Sequence, residues 1–395
     1  MNIMYIASDN YAGSGAFLSL VNLARNIREK YKENVLIVLP RKGDGEELLL
    51  QYSIPYIHIY SFNWCIRTEK RNQFVTKIKI IFARFFNIVP IISLIGLIYI
   101  KKIDIIHINT SYSYVGAIAG KICKKSVIWH IREFLEEDQG CEIWNKKRGY
   151  KLINRSAEII TISKAIYKKY KNIFDVNKMQ VILNGINERQ FYLSKHHIFK
   201  NHFLRIAIIG TISYYKGQFC VVEAIDKLVK KGYKNLGVWI IGKGNDKIEN
   251  ELLDLINRKE VDKYISLVGY QKNIVNWLEN IDIVLTCSKA EAFGRTTVEA
   301  MLAGCLVIGA RSAGTLELIQ ENETGLLYQE GSADDLARQI ERAINEKQKM
   351  ISVAQNGQQY MLHNMTASIN AQKIYKEYCK ILKETNEKDD KIFKK

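Results

Sequence analysis

The sequence has little proline and no glycine- or serine-rich tract. Only 3 of its 395 residues are proline, so the chain offers little material for long disordered linkers. Its seven cysteines are scattered, and no two have the spacing of a zinc or redox site. An Asp-x-Asp metal signature is also lacking. We therefore expect buried, reduced cysteines and a protein that needs neither a metal nor a cofactor.

We expect neither a targeting segment nor a membrane-spanning helix. The segment Met1–Ala7 has no basic start and runs directly into an apolar strand pattern, unlike a signal peptide. The apolar run Phe85–Ile100 is shorter than the about 20 apolar residues that a transmembrane helix needs, and Asn87, Pro90 and Ser93 interrupt it. We expect a cytoplasmic protein that does not span a membrane.

Negative charge is in short supply. The chain has 58 basic and 41 acidic residues, for a net charge of +17. The segment 67–102 holds eight Lys or Arg and one acid, Glu69, with phenylalanines between them. A basic, aromatic-rich helix can lie on an anionic membrane, although a solvated face or a nucleic-acid surface would share this composition. We favour peripheral contact with the inner face of the cell membrane and do not expect nucleic acid as a partner.

The sequence restarts its strand–helix alternation about half-way along. Apolar strand-length runs alternate with helical patterns from Ile3 onwards, and again from Leu204. This alternation predicts an α/β fold with doubly wound parallel sheets, and the length favours two domains. We place a Rossmann-like domain at 1–190 and a second at 191–366, followed by a helix at 367–395. Ligands of such folds bind at the carboxyl ends of the strands.

The most informative segment is Ser288–Gly304. Two glutamates, Glu291 and Glu299, stand around a Phe293-Gly294 turn that follows an apolar strand and precedes a helix. A helix start behind a glycine offers an anion its free backbone N–H groups, while carboxylates accept hydrogen bonds from hydroxyls. A ligand that satisfies both is a phosphate-bearing sugar, of which a nucleotide sugar is the commonest kind.

Other strand ends carry weaker signals. Gly13-Ser-Gly15 suits a phosphate loop, but Leu18 replaces the third glycine of a dinucleotide fingerprint and Pro40-Arg41 stands where an acid should hold a ribose. A nicotinamide enzyme is therefore disfavoured, and a tight turn without ligand is the alternative. His107 and His130 lie near strand ends, where a packed histidine is the alternative to a functional one.

The second half offers further candidates. Lys216 precedes Gly217 at a helix start, where a lysine could neutralise a diphosphate leaving group or simply lie on the surface. Gly244 and Tyr270 follow two further strands at the same predicted edge.

Taken in order, these motifs resemble glycosyltransferase family 4, whose members are retaining, metal-independent enzymes of the GT-B fold. The resemblance extends from Met1 to about Tyr378 and is strongest over Ser288–Leu327. It rests on the glycine-rich first loop, Asp104-Ile-Ile-His107, Ser163, Asn184-Gly185, Lys216-Gly217, Gly242-Lys-Gly244, Glu291 and Glu299, Gly314 and Thr324-Gly325.

The resemblance implies a role for each matching residue. Glu291 would contact hydroxyls of the donor sugar, Glu299 the ribose, Lys216 the phosphates, and His130 would lie near the reacting centre. Backbone around Gly294–Val298, here called the donor motif, and around Gly13 and Gly15 would approach the diphosphate. Tyr270 would lie near the base. The remaining donor-site candidates are Gly244, Phe293, Gly294, Arg295, Thr296 and Thr297. The last helix would cross back to the first domain.

One position departs from the family pattern. Many members have an arginine directly after the glycine that matches Gly210, and this chain has Thr211. Arg132 and Arg295 are the candidates to replace that cation.

We therefore predict a retaining enzyme that moves a hexose-type sugar from a nucleoside diphosphate, UDP or GDP, to a hydroxyl of a glycan or lipid-linked acceptor. The expected setting is cell-surface polysaccharide or lipid-linked glycan synthesis. A sugar-nucleotide epimerase of the same fold and a non-catalytic nucleotide-sugar-binding protein remain alternatives.

Overall fold

Apolar strands and intervening helices form two units in the computed structural model, which describes residues 1–71, 73–137 and 139–393. One unit comprises Met1–Gly185 and Ala367–Lys395, and the other comprises Ile186–Thr366. Residues 394 and 395, at the end of the predicted helix 367–395, lie outside the described residues. The division falls between residues 185 and 186, whereas the prediction placed it between 190 and 191.

The first unit contains a seven-stranded parallel sheet with the strand order β3-β2-β1-β5-β6-β8-β9 and a small antiparallel pair, β4-β7. Its strands are β1 Asn2–Ile6, β2 Asn34–Leu39, β3 Tyr56–His58, β4 Cys65–Arg67, β5 Ile105–Ile108, β6 Ser126–Ile131, β7 Cys141–Ile143, β8 Glu158–Thr161 and β9 Met179–Val181. The helices between these strands are α1 Gly15–Tyr31, α2 Glu46–Gln51, α3 Phe74–Phe86, α4 Ile88–Ile100, α5 Val115–Ile122, α6 Lys146–Ile153 and α7 Lys164–Tyr170.

The second unit contains a six-stranded parallel sheet with the order β12-β11-β10-β13-β14-β15. Its strands are β10 Leu204–Ile209, β11 Leu236–Ile241, β12 Ile265–Gly269, β13 Ile283–Thr286, β14 Leu306–Ala310 and β15 Leu326–Tyr328. Its helices are α8 Glu188–Phe191, α9 Gln218–Lys230, α10 Asp246–Arg258, α11 Val275–Leu278, α12 Arg295–Leu302, α13 Thr315–Leu318, α14 Ala333–Asn345 and α15 Lys347–Asn364. The last helix of the chain, α16 Ala367–Phe393, belongs to the first unit.

Both sheets are covered on their two faces, which explains why their strands are apolar almost throughout. In the first unit, strand residues such as Ile37, Ile105 and Ile160 share one buried cluster with α1 and with Tyr378 of α16. In the second unit, residues of β10, β11, β13 and β14 form a corresponding cluster with α9 and α14. The predicted doubly wound parallel α/β fold is therefore confirmed for both units.

Each sheet has a point at which its strand order reverses. In the first sheet β1 pairs with β2 on one side and with β5 on the other. In the second, β10 pairs with β11 on one side and with β13 on the other. Ligands of open α/β sheets bind at the carboxyl ends of the strands beside this reversal. The loops after β1, β10 and β13 are therefore the segments to inspect.

The segment of α3 and α4 differs from the sequence-based expectation. Residues Phe74–Ile100 form a helical stretch of 27 residues that is long and apolar enough to cross a membrane, by length and composition alone. The prediction that the run was too short is wrong in its length, because it counted from Phe85 and the helix starts eleven residues earlier. One face of α4 nevertheless packs on α5 of the same unit, where Pro90, Leu94 and Ile98 are buried.

Candidate active site

Two helices of the second unit begin at glycines in the left-handed region, on either side of the strand-order reversal. Gly217 (φ 83°) is the N-cap of α9, which follows β10, and Gly294 (φ 98°) is the N-cap of α12, which follows β13. Neither glycine has a side chain that could cap the first-turn N–H groups. An uncapped helix N-terminus is suited to bind an anion. The structure places two of them next to each other, because β10 and β13 are hydrogen-bonded neighbours.

Only glycine fits the tight approaches that shape these loops. A Cβ on Gly217 would lie 2.4 Å from Cβ and 2.5 Å from the carbonyl oxygen of Cys287. A Cβ on Gly314 would lie 2.8 Å from the carbonyl oxygen of Glu291, to which the Gly314 N–H donates a hydrogen bond of 2.8 Å. The glycines thus allow the loop after β14 to hold the Glu291 segment in place.

Lys216 and Glu291, predicted from separate motifs, meet in this unit. The Lys216 Nζ donates to Glu291 Oε2 at 2.8 Å, and the two side chains are 30% and 24% exposed. This partly exposed pair lies in front of the two helix starts, since Lys216 directly precedes the N-cap of α9. A diphosphate and a sugar hydroxyl could each take one partner of the pair.

Glu299 and Arg295 form a second ion pair, within the first two turns of α12. The Arg295 Nη2 donates to Glu299 Oε1 at 2.8 Å, and both side chains are largely buried. Burial raises the pKa of the Glu299 carboxyl, and the Arg295 charge acts in the opposite direction. Arg295 therefore faces Glu299, the predicted ribose ligand. Close by, the buried Thr297 Oγ1 has no hydrogen-bond partner among the described residues.

The other predicted donor-site residues surround the same strand ends. Thr296 is half-buried in the first turn of α12, and Phe293 is buried, which leaves only its backbone to approach a ligand. Gly244 follows β11, and its N–H donates to Glu249 Oε1 at 2.6 Å. Tyr270 follows β12 and is 55% exposed, so its ring can contact a bound group.

The Gly13–Gly15 loop of the first unit contains carboxylates that sequence reasoning missed. Helix α1 begins at Gly15 with Ser14 as its N-cap, as a phosphate loop would. However, Asp9 accepts hydrogen bonds from Ser14 Oγ (3.1 Å) and from the Tyr11 N–H (3.3 Å). Asp44 accepts one from the Ala12 N–H at 2.8 Å. Burial raises the pKa of Asp9. The position of Asp9, directly between the strand and the glycines, is the signal that could have revealed this arrangement.

His130 lies inside the first sheet. It belongs to β6, has no exposed surface, and its Nδ1 is 3.1 Å from both His107 Nε2 and Arg132 Nη2. Its Nε2 has no partner among the described residues. Burial, and then the Arg132 charge, lower the pKa of His130 well below its usual value. The structure therefore shows a packed histidine in surroundings that disfavour its charged form, and the catalytic assignment stays a prediction.

Arg132 is the cation at the carboxyl end of this strand. Its Nε donates to the carbonyl oxygen (3.0 Å) and to Oδ1 (2.9 Å) of Asn109, and its Nη1 donates to Asn184 Oδ1. These bonds tie together the segments after β5, β6 and β9. Thr211, by contrast, is exposed, and its carbonyl oxygen accepts a hydrogen bond from Gln218.

No group of three or more His, Cys, Asp or Glu side chains is arranged to hold a metal ion within residues 1–71, 73–137 and 139–393. The cationic side chains described above are Lys216 and Arg295 in the second unit and Arg132 in the first.

The sequence is similar to those of known glycosyltransferases. Residues 192–360 match the family Glycosyl transferases group 1. The chain is 25% identical over 274 residues to an uncharacterised glycosyltransferase of Methanocaldococcus jannaschii, covering 64% of this chain and 69% of that protein. It is 24% identical over 325 residues to the capsular polysaccharide biosynthesis glycosyltransferase CapM of Staphylococcus aureus, covering 78% and 84% of the two chains.

The chain is a glycosyltransferase. Among solved structures, HepE of Anabaena in complex with UDP and glucose is similar over 96% of this chain and 99% of its own, with a TM-score of 0.78 and 22% identity. At that identity the likeness concerns the fold, and it confirms the predicted pair of Rossmann-like domains of the GT-B type. The region of this glycosyltransferase that matches the family contains Gly217, Gly294, Lys216, Glu291 and Glu299.

Proposed function

We propose that this glycosyltransferase uses a nucleoside diphosphate sugar as donor and retains the configuration of the transferred sugar, as members of family 4 do. The observation that carries the proposal is the pair of uncapped helix starts at Gly217 and Gly294, with Lys216 between them and two carboxylates beside them. This arrangement provides both halves of the donor, the diphosphate and the hydroxyl-rich sugar, with suitable partners.

In the proposed reaction the protein stabilises the departing diphosphate. The bond between the anomeric carbon and the diphosphate breaks, the acceptor oxygen bonds to the same face of that carbon, and the acceptor proton passes to a phosphate oxygen. Lys216 and the first-turn N–H groups of Thr296 and Thr297 would hold the charge that develops on the leaving group. Glu291 would accept hydrogen bonds from sugar hydroxyls and Glu299 from the ribose. No metal is required in this scheme.

UDP-sugars are the first donors to test. HepE was crystallised with UDP and with UDP-glucose, and the exposed Tyr270 ring provides a surface for a base. A GDP-sugar is the second donor to test.

We further propose that the acceptor is a glycan or a lipid-linked glycan at the cytoplasmic face of the membrane. CapM belongs, by its name, to capsular polysaccharide synthesis. Helix α3 has no buried residue, and twelve large hydrophobic side chains between Phe74 and Ile100 are exposed. Of the eight Lys and Arg in 67–102, only Arg67 and Arg71 form an ion pair with a described residue. An apolar surface flanked by unpaired cations suits an anionic bilayer better than a nucleic acid.

Donor binding can be tested by thermal unfolding with UDP, GDP, ADP and their sugars. A ligand that binds only the folded state raises stability by about 2.7 kcal/mol at about 100 times its Kd. We expect UDP to raise the unfolding temperature without added metal and with a chelator present.

Activity that needs Mn²⁺ would contradict the metal-free scheme. A sugar converted to its epimer without acceptor would support the epimerase alternative, and binding without turnover on any acceptor would support a binding protein.

Membrane contact can be tested by sedimentation with vesicles. We expect binding to phosphatidylglycerol vesicles at low salt, and weaker binding when Lys70, Lys77, Lys79 and Arg84 are replaced by Gln. Absence of binding, or binding that these replacements leave unchanged, would contradict an electrostatic contribution.

A further inference from the structure

The first unit contains a cavity of about 250 Å³ beside the α3–α4 segment, apart from the loops described above. Trp64, Tyr114 and Trp144 form an aromatic wall, and the arginines Arg84 and Arg148 stand at its rim. The described residues that line the cavity include no aspartate or glutamate. The cavity adjoins the exposed apolar side chains of α3 and α4, since Arg84 and Ile91 of these helices line it.

The aromatic wall is fixed before any ligand binds. Trp64 Nε1 donates to the carbonyl oxygen of Ser111 at 2.5 Å, and its ring stacks on Tyr114 with centroids 5.1 Å apart. The Trp144 ring meets Tyr114 edge-on at 5.8 Å, and the Trp144 N–H donates to the Trp64 carbonyl oxygen at 3.0 Å. On the other side, the fully buried Asn87 donates to the Tyr114 hydroxyl at 2.9 Å. These bonds make the cavity a preorganised site.

The two arginines at the rim of the cavity have no acidic partner among the described residues. Arg84 lies on α3 and Arg148 in the first turn of α6, and both are exposed. Neither forms an ion pair or a side-chain hydrogen bond with a described residue. Arg84 and Tyr114 line the same cavity. Burial raises the pKa of Tyr114, and the hydrogen bond from Asn87 and then the Arg84 charge act in the opposite direction. Arginine pairs at such sites bind phosphate through paired N–H groups.

The surface around Arg84 is apolar. Its neighbours Phe85 and Ile81 on α3 are both 67% exposed, and Ile88 at the start of α4 is 49% exposed. Ile91, on the next turn, lines the cavity itself. A ligand that fits both features has a phosphate at one end and a hydrocarbon chain at the other. A nucleic acid has no hydrocarbon chain that could cover these exposed isoleucines and phenylalanines.

We propose that this cavity binds the phosphate group of a membrane lipid that carries the acceptor, with its chain lying along Phe85 and Ile88. The phosphate would contact Arg84 and Arg148, and the group attached to it would lie against Trp64 and Trp144. This inference rests on the proposed function only for the statement that the lipid is the acceptor. Binding of the lipid phosphate itself does not depend on the donor site, which lies in the other unit.

The test uses geranyl phosphate, an isoprenoid phosphate of ten carbons, titrated against the full chain and followed by tryptophan fluorescence. Geraniol and inorganic phosphate are titrated in parallel to separate the two halves of the ligand. We expect geranyl phosphate to bind at least about tenfold more tightly than either, because charge-assisted hydrogen bonds and chain burial act together.

Two pairs of variants locate the site. Arg84→Gln and Arg148→Gln should each weaken geranyl phosphate binding about tenfold. Their controls, Lys168→Gln on α7 and Lys147→Gln on α6, remove a positive charge from residues outside the cavity and should change binding less than about twofold. All four positions are exposed, so the unfolding temperature should not change.

Three results would overturn the proposal: equal binding of geraniol and geranyl phosphate, equal losses in the controls and the cavity variants, or displacement of the probe by oligothymidylate, which would indicate a nucleic-acid site. UDP should still stabilise all four variants. A wild-type chain that binds geranyl phosphate and ignores UDP would refute the donor assignment and leave this site standing.

Discussion

At the residue scale, the Lys216–Glu291 pair is held by a contact of 2.8 Å between side chains that are 30% and 24% exposed. Such pairs contribute only about 0–1 kcal/mol to stability. We expect Lys216→Ala and Glu291→Gln each to lower kcat roughly a hundredfold, the cost of losing one charge-stabilising group, while the unfolding temperature changes little.

Steady-state kinetics and calorimetry on the same samples would separate these effects. Lys227 pairs with Asp334 at the same 2.8 Å on the surface of the same unit. Lys227→Ala should therefore leave both kcat and stability near their original values. Near-normal rates for Lys216→Ala would remove the lysine from the donor site.

Gly294 is required both for its backbone conformation and for the space beside it. Its φ is 98°, and a Cβ there would lie 3.0 Å from Leu318 Cδ1 and 3.2 Å from Thr297 Oγ1. Gly232 has nearly the same φ, 96°, with nothing within 4 Å. We expect both alanine variants to lose about 1–2 kcal/mol from left-handed strain. Only Gly294→Ala should also weaken UDP binding, measured by titration calorimetry. Equal UDP affinities in the two variants would contradict a phosphate role for the α12 start.

Glu133 provides a prediction of pH dependence. Burial raises the pKa of its carboxyl to about 7, against hydrogen bonds from the N–H groups of Ser111 and Arg132. The folded protein keeps this proton up to about pH 7, whereas the unfolded chain releases it near pH 4.5. This contribution to stability is therefore present below about pH 4.5 and is lost as the pH rises through about 7.

Glu133→Gln resembles the protonated carboxyl, so the variant should not lose stability as the pH rises through about 7. We expect the variant and the original to unfold at similar denaturant concentrations at pH 5, and the variant to be about 1–3 kcal/mol more stable at pH 8. Urea unfolding at both values would measure the difference. Glu69→Gln, at an exposed position, should not change stability differently at the two pH values. A stability difference between Glu133→Gln and the original chain that is the same at pH 5 and pH 8 would contradict the raised pKa of Glu133.

The sequence showed which residue types stand at the ends of the predicted strands, but it did not show which side chains they contact. Lys216 and Glu291 are 75 positions apart, and the sequence suggested each for a different part of the donor. His130 lies near the carboxyl end of its strand as predicted, since β6 ends at Ile131, but its ring lies inside the unit. A shift of one residue along a strand moves a side chain to the other face, so its orientation could not be determined from sequence alone.

At the element scale, α3 and α4 depend on one buried side chain between them. Asn87 accepts a hydrogen bond from the Phe62 N–H (2.9 Å) and donates to the Phe62 carbonyl oxygen (2.8 Å) as well as to Tyr114. Sequence reasoning treated Asn87 as an interruption of an apolar run. In the structure it joins the two helices to the rest of the unit.

Asn87→Ala would leave the Phe62 backbone groups and the Tyr114 hydroxyl without this partner. Unsatisfied buried groups cost about 1–3 kcal/mol each, so we expect a loss of about 2–4 kcal/mol in urea unfolding. Asn26→Ala is the control, because Asn26 donates only to the Asn22 carbonyl oxygen within α1. A loss no larger than that of the control would show that Asn87 does not hold the segment.

At the scale of the whole molecule, the last helix completes the first unit from the far end of the chain. Ala371, Ile374, Tyr378 and Ile381 of α16 are buried in the cluster formed by β1, β2, β5 and α1. The Tyr378 hydroxyl lies 2.7 Å from His107 Nδ1. The first unit is therefore incomplete without residues that follow the second unit in the sequence.

A chain that ends at Thr366 lacks α16. Its second unit, Ile186–Thr366, should fold as before, whereas its first unit should be less stable. We expect the free energy of unfolding of the first unit to fall by several kcal/mol, because the buried side chains of Ile374, Tyr378 and Ile381 are removed and each such burial contributes about 1.5–3 kcal/mol. The UDP-induced protection of amides in 186–366, measured by hydrogen exchange, should remain. Loss of that protection would show that donor binding needs α16.

The fold class and the segment around Glu291 and Glu299 could be predicted from the amino-acid order alone. Continuous apolar strands can be stable only when helices cover both faces of a sheet, and glycines before helix starts follow from backbone geometry. The folded chain was needed to show which charged groups pair, that carboxylates occupy the Gly13–Gly15 loop, that the His130 ring is buried, and that two arginines border an aromatic cavity. Those features depend on contacts between segments far apart in the chain, and a one-dimensional pattern contains no such distances.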